Sequence, residues 1–148
     1  MRLRTFLALV LLLSGSSVAM ARNTIVNISM KSVLDMPEAK EKLHAGIHFY
    51  LMGQPTPQVA GRFATVVTNR KTNNANKSDV RGCMWAALSA LISLQDAVEA
   101  QGQGANAVVD IVSYYQKNVR ESATDFECHA GAIIAGVALR GTVAKVDQ

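Results

Sequence analysis

Aromatic residues make up only 5% of this sequence, and its 15 lysines and arginines are scattered among 11 aspartates and glutamates. A nucleic-acid surface needs a concentrated basic patch interleaved with stacking rings. The one modest basic cluster, Arg70 to Arg81, does not supply it, so nucleic acid is not an expected partner. No GxxxxGK[ST] occurs, which excludes nucleotide hydrolysis by a P-loop. His44 and His48 stand four apart but lack the glutamate of an HExxH zinc site, and Gly46 lies between them. The "GQGAN" stretch follows a helix pattern and precedes a strand, the reverse of a dinucleotide fingerprint, so Gly102 and Gly104 read as helix punctuation. No internal repeat of fixed period is visible, and no cofactor is expected.

The longest unbroken apolar run, Phe6 to Leu13, is about half of the ~20 residues that cross a bilayer. It follows Arg2 and Arg4 and leads to Ala19-Met20-Ala21, a small-x-small cleavage pattern, so residues 1–21 read as an export signal. No cysteine follows the apolar run, which argues against a lipid anchor. The mature chain is then 22–148, periplasmic or secreted, with no transmembrane segment. Its length suits one domain. Without Arg2 and Arg4 the charge is nearly balanced, at 13 basic to 11 acidic residues.

Cysteine is the scarcest reactive residue, with two in the chain. In an exported protein an even count favours a disulfide, here Cys83 to Cys128. The "FECHAG" stretch sets Cys128 beside His129, which also raises a thiol–imidazole dyad. Adjacent strand residues point to opposite faces, and that disfavours the dyad.

Local patterns divide the mature chain. Thr24 to Met30 is β-branched and alternating, an opening strand. Asp35 as cap and Pro37 in the first turn open a short helix that stops at His44-Ala45-Gly46. Ile47 to Met52 and Gly61 to Asn69 read as strands, and "RKTNNANKSD" as an exposed loop. From Asp79 to Gln101, Cys83, Ala87, Ala90, Leu91, Leu94 and Val98 form one apolar stripe at helical period, capped by Ser78 or Asp79. Ala107 to Tyr115, the segment around Phe126 and Cys128, and "VALRGTVAKV" complete the strands. The expected fold is α+β: a small antiparallel sheet with one long helix packed on a face.

The segment "ALSALISLQDAVEAQGQGANAVVDIVSYY" (Ala87 to Tyr115) and the ending "GVALRGTVAKV" (Gly136 to Val146) resemble YbjQ-like proteins and the periplasmic domain of the RcsF type. With "FECHAG" included, the pattern is similar to short exported bacterial proteins of unknown function often labelled "excinuclease ATPase subunit", a label that the missing nucleotide motif contradicts. The resemblance covers a unit of about residues 80–146. It implies a helix against an antiparallel sheet. YbjQ-like proteins form rings, so it also implies a homo-oligomer. RcsF-type domains are envelope-stress sensors stapled by disulfides, although the lipoprotein cysteine of that type is missing here. No catalytic residue carries over.

The expected role is therefore a non-catalytic binding or interaction module that meets an envelope protein or itself. The alternative is a small-ligand or metal-binding protein using His44, His48 and His129, with Asp110 as a polar group inside an apolar strand. Tyr114, Tyr115 and Trp85 are candidates for a pocket or an interface.

Overall fold

The computed structural model describes residues 21–148; the expected export signal lies outside them, apart from Ala21. Strand β1 (Thr24–Ser29) runs straight into a one-turn helix, α1 (Met30–Leu34). Ser29 ends the strand by capping the helix, its Oγ accepting from Ser32 N, an exchange that short hydroxyl side chains favour at N-caps. The chain thus turns helical one residue before the expected strand end. Asp35 closes α1 through its N–H to Lys31 O instead of opening the next helix. Helix α2 (Pro37–Lys42) starts on its proline, whose missing N–H has no helical partner to lose.

Strands β2 (His48–Leu51) and β3 (Val59–Asn73) follow, then helix α3 (Asp79–Gln101) and strand β4 (Ala107–Ser113). A 3-10 turn (Tyr115–Lys117) leads to β5 (Asp125–Ala130) and β6 (Ile134–Val146). The six strands form one sheet in the order β1-β5-β6-β4-β2, with β3 also paired to β6. Strand β3 follows β6 from Ile134 to Val146. Consequently β5, at Ala135 and Gly136, and β4, at Leu139 to Ala144, share the opposite edge of β6.

The sheet is mixed rather than antiparallel, because β2 pairs parallel to β4 from His48 and Ala107 onward. Parallel neighbours need a long crossover, and here β3 and α3 lie between the two in sequence. No local pattern announces such a pairing. The polar "RKTN" stretch also departs from expectation: Arg70 to Asn73 continue β3 against Val137 to Ile134. Arg70 Nη2 reaches Ser93 Oγ on α3, and Thr72 Oγ1 donates to Gly82 O. Their polarity is absorbed by the helix, so the strand does not have to end.

Helix α3 has the bounds that its sequence sets, with Ser78 Oγ accepting from Arg81 N and Gly102 at positive φ as C-cap. Its stripe from Cys83 to Val98 is buried in one core with Val137, Leu139 and Val143 of β6, Val108 and Ile111 of β4, and Phe126 of β5. Leu and Val side chains buried this completely contribute roughly 1.5–3 kcal/mol each. A smaller cluster joins Ala107, Val109, Ala144 and Val146, flanked by Tyr50 and Val59. Among the described residues no helix is long and apolar enough to cross a membrane.

Candidate functional site

Strand β5 divides its side chains between two environments. Phe126, Cys128 and Ala130 are fully buried, whereas Asp125, Glu127 and His129 take the alternate, partly buried positions. Cys128 is bonded to Cys83 on α3, with their Cα atoms 5.7 Å apart, well inside the range for a disulfide. The staple therefore lies on the core face of β5 and His129 on the other.

His129 is held on every side. Its Nε2 lies 2.8 Å from Glu127 Oε1 and its Nδ1 3.1 Å from Asn23 Oδ1. The imidazole stacks on Tyr115, with an interplanar angle of 12°. Glu127 Oε2 accepts from Arg120 Nη1 at 2.9 Å, and Glu127 N donates to Ser113 Oγ. Tyr115 is placed by a tight turn in which Gln116 and Lys117 both adopt positive φ, a conformation that costs non-glycine residues energy and marks an over-determined site. The side chains of His129 and Glu127 are only 10% and 14% exposed.

This arrangement decides what the imidazole can do. With Nε2 donating to Glu127, Nδ1 either donates to Asn23 Oδ1 as imidazolium or accepts from the Asn23 amide turned over. In both states each ring nitrogen is engaged, and no lone pair is left for a substrate or a metal. The cluster is a latch that joins the start of β1, the outer face of β5 and the 115–117 turn. Beside it lies a polar cleft of about 170 Å³ bordered by Asn27, Arg120, Asp125 and Glu127.

The three histidines are not gathered. His44 and His48 border one cleft of about 380 Å³ with Leu43 and Tyr50. His129 stands on β5, which β6 and β4 separate from β2. His44 Nδ1 pairs with Glu99 Oε1 at 2.5 Å, and His48 leans on Tyr50. The end of α2 is tied to α3 by Gln95, which accepts from His44 N and donates to Lys42 O. Among the described residues no group of three or more His, Cys, Asp or Glu is placed to hold a metal ion.

Asp110 marks a bulge. Val109 pairs with Thr142 and Val112 with Arg140, so Asp110 and Ile111 together oppose Gly141. Asp110 takes φ +53°, which aspartate tolerates better than most residues, and its carboxylate meets Arg62 Nη1 at 2.6 Å. A Cβ on Gly141 would lie 2.6 Å from Val108 Cγ1, so the bulge needs glycine opposite it. Tyr114 lies under the Arg140 guanidinium at 4.7 Å. Trp85 borders a separate cleft with Lys77 and Arg81.

Glu127 and Arg120 were not singled out by sequence pattern. The signal for Glu127 was its position two residues before His129 in an alternating strand, which puts both on one face. Arg120 carries no such signal, because a loop brings it there. Neither family models, nor curated proteins, nor solved structures match this chain.

Proposed function

We propose that the protein is a non-catalytic binding module of the periplasm or cell exterior that recruits an extended segment to the free edge of β3. The observation that carries this reading is the edge itself. β3 spans 15 residues and pairs with β6 on one side and with no other strand among the described residues. From Thr65 to Asn73 its register is unbroken, it contains no proline, and Val67 is 57% exposed. Unpaired N–H and C=O groups on such an edge are a template for an added strand. The α3 core beneath it, pinned by Cys83–Cys128, supplies a rigid support.

The occupant is an envelope protein or a second copy. Antiparallel self-pairing centred on Val67 would set Thr65 opposite Asn69 and Val66 opposite Thr68, all uncharged and all within the unbroken stretch. The sequence likeness to YbjQ-like and RcsF-type domains supports an envelope role. A photo-crosslinking residue at Val67 or Asn69 tests the reading, with one at Glu38 on α2 as control. Crosslinked dimers of the purified protein identify a second copy, and adducts formed only in the envelope identify a partner. Equal yields at all three positions would overturn the assignment.

A further inference from the structure

We infer that the cleft between the end of β3 and the first turns of α3 binds an anionic sugar, with Lys77 and Arg81 on the charged group and Trp85 under the ring. The cleft, about 520 Å³, is bordered by Thr72, Asn73, Lys77, Arg81 and Trp85. That volume falls in the range of small-ligand sites. Lys77, Arg81 and Trp85 recur every fourth residue, so the cap residue region and α3 place them on one side of the helix.

Three observations point to the ligand's chemistry. The first is uncompensated charge. Arg22, Arg62 and Arg120 each meet a carboxylate, whereas Lys77 and Arg81, like Arg70 and Arg140, form no ion pair among the described residues. Asp79, the nearest carboxylate in sequence, is held by Arg22 and Asn74. Lys77 Nζ has only the Asn73 carbonyl, at 2.8 Å.

The second is the indole. Trp85 is the chain's one tryptophan and is only partly buried. The Arg81 guanidinium stands 5.9 Å from its ring centre, at the outer limit of a cation–π contact. A partly exposed indole offers a flat apolar surface with a polar tip.

The third is the state of the bordering backbone. The Asn73 carbonyl, at the rim of the cleft, is already taken by Lys77 Nζ. The facing wall, Arg81 and Trp85, stands on helix α3, whose backbone offers a peptide no free strand partners. A sugar ring carrying a carboxylate or a phosphate meets the requirements without them: charge for the cations, a ring face for the indole, hydroxyls for Asn73. The site adjoins the last residues of the β3 edge, Thr72 and Asn73, but its charged and aromatic groups stand on α3 and the residues just before it.

Trp85 is its own probe. The purified, disulfide-bonded protein is titrated with trigalacturonate, glucose 6-phosphate, an uncharged trisaccharide and a glutamate-rich peptide, read by tryptophan fluorescence and calorimetry. Expected is saturable binding of one or both anionic sugars, weakened at least tenfold by Arg81→Ala and by raising the salt. The trigalacturonate and phosphate arms separate carboxylate from phosphate recognition. Trp85→Leu, followed by calorimetry, is expected to weaken binding similarly, with the circular dichroism spectrum checking that each variant folds. The inference is overturned if neither anionic sugar saturates at millimolar concentration, if the uncharged sugar or the peptide binds as well, or if folded Arg81→Ala binds unchanged.

Discussion

Removing the covalent link between α3 and β5 tests the central scaffold most directly. Cys83 and Cys128 are 45 residues apart in sequence, and both are at 0% exposure. Closing a loop of that length restricts the unfolded chain and stabilises the folded state by about 4 kcal/mol in the chain-entropy model. Replacing both cysteines by alanine also removes two buried sulfurs, each about the size of a methylene, for about 1.5 kcal/mol more. Urea unfolding of three forms separates the contributions: oxidised protein, reduced protein and the Cys83→Ala/Cys128→Ala variant. Oxidised against reduced reports the crosslink, and reduced against the variant reports the packing. For a domain of this size a loss of about 4 kcal/mol lowers Tm by roughly 12–20 °C. The urea m-value should rise on reduction, because an unfolded chain without the link exposes more surface. Equal midpoints and equal m-values for the oxidised and reduced forms would refute the reasoning.

Gly82→Ala places a Cβ 1.9 Å from Asn74 Oδ1 and 2.8 Å from its Cγ. Asn74 is 1% exposed and bonded to Asp79 and Gly131 O, so it cannot yield freely. A loss of about 1–3 kcal/mol is expected in denaturant unfolding, whereas Gly46→Ala, with nothing within 4 Å, should change stability by no more than about 1 kcal/mol. At Asp110, valine should cost about 1–3 kcal/mol more than glycine, because a β-branched side chain resists the positive φ of the bulge; equal thermal stabilities would count against the bulge. Hydrogen bonds from Arg22, then from Asn74, hold the Asp79 carboxyl below the ordinary aspartate value of 3.8. Because the folded value is the lower one, this contribution is present above about pH 3.8 and is lost as pH falls through the lowered value. Arg22→Ala should therefore flatten the acid limb of the unfolding midpoint against pH, and an unchanged slope would contradict the assignment.

The elements that could be read from the sequence are those fixed by local chemistry. α3 carries its own cap, period and terminator, so its limits were legible from Ser78 to Gly102. The disulfide was legible because only two cysteines exist. What escaped depends on neighbours distant in the chain. The parallel β2–β4 pair is set by the crossover, and the extension of β3 through Arg70 to Asn73 by β6 and by acceptors on α3. The Asp110 bulge lets Val108 and Ile111 both reach the α3 core, a three-residue spacing that alternation alone would assign to opposite faces. At the candidate site His129 and Tyr115 were visible one by one. Their stacking and the Glu127–Arg120 pair belong to the return of the 115–124 segment over β5.

Strand β6 also has a consequence in time. It is the last element in chain order, yet β3, β4 and β5 all pair with it. Before it arrives, the strands can assemble only as two separate ladders, β1 with β5 and β2 with β4. Two-stranded ladders of that kind are marginal in water. While the chain emerges from its N-terminus, most of the sheet's pairings therefore wait for Ile134 to Val146 to reach strands that have already been made.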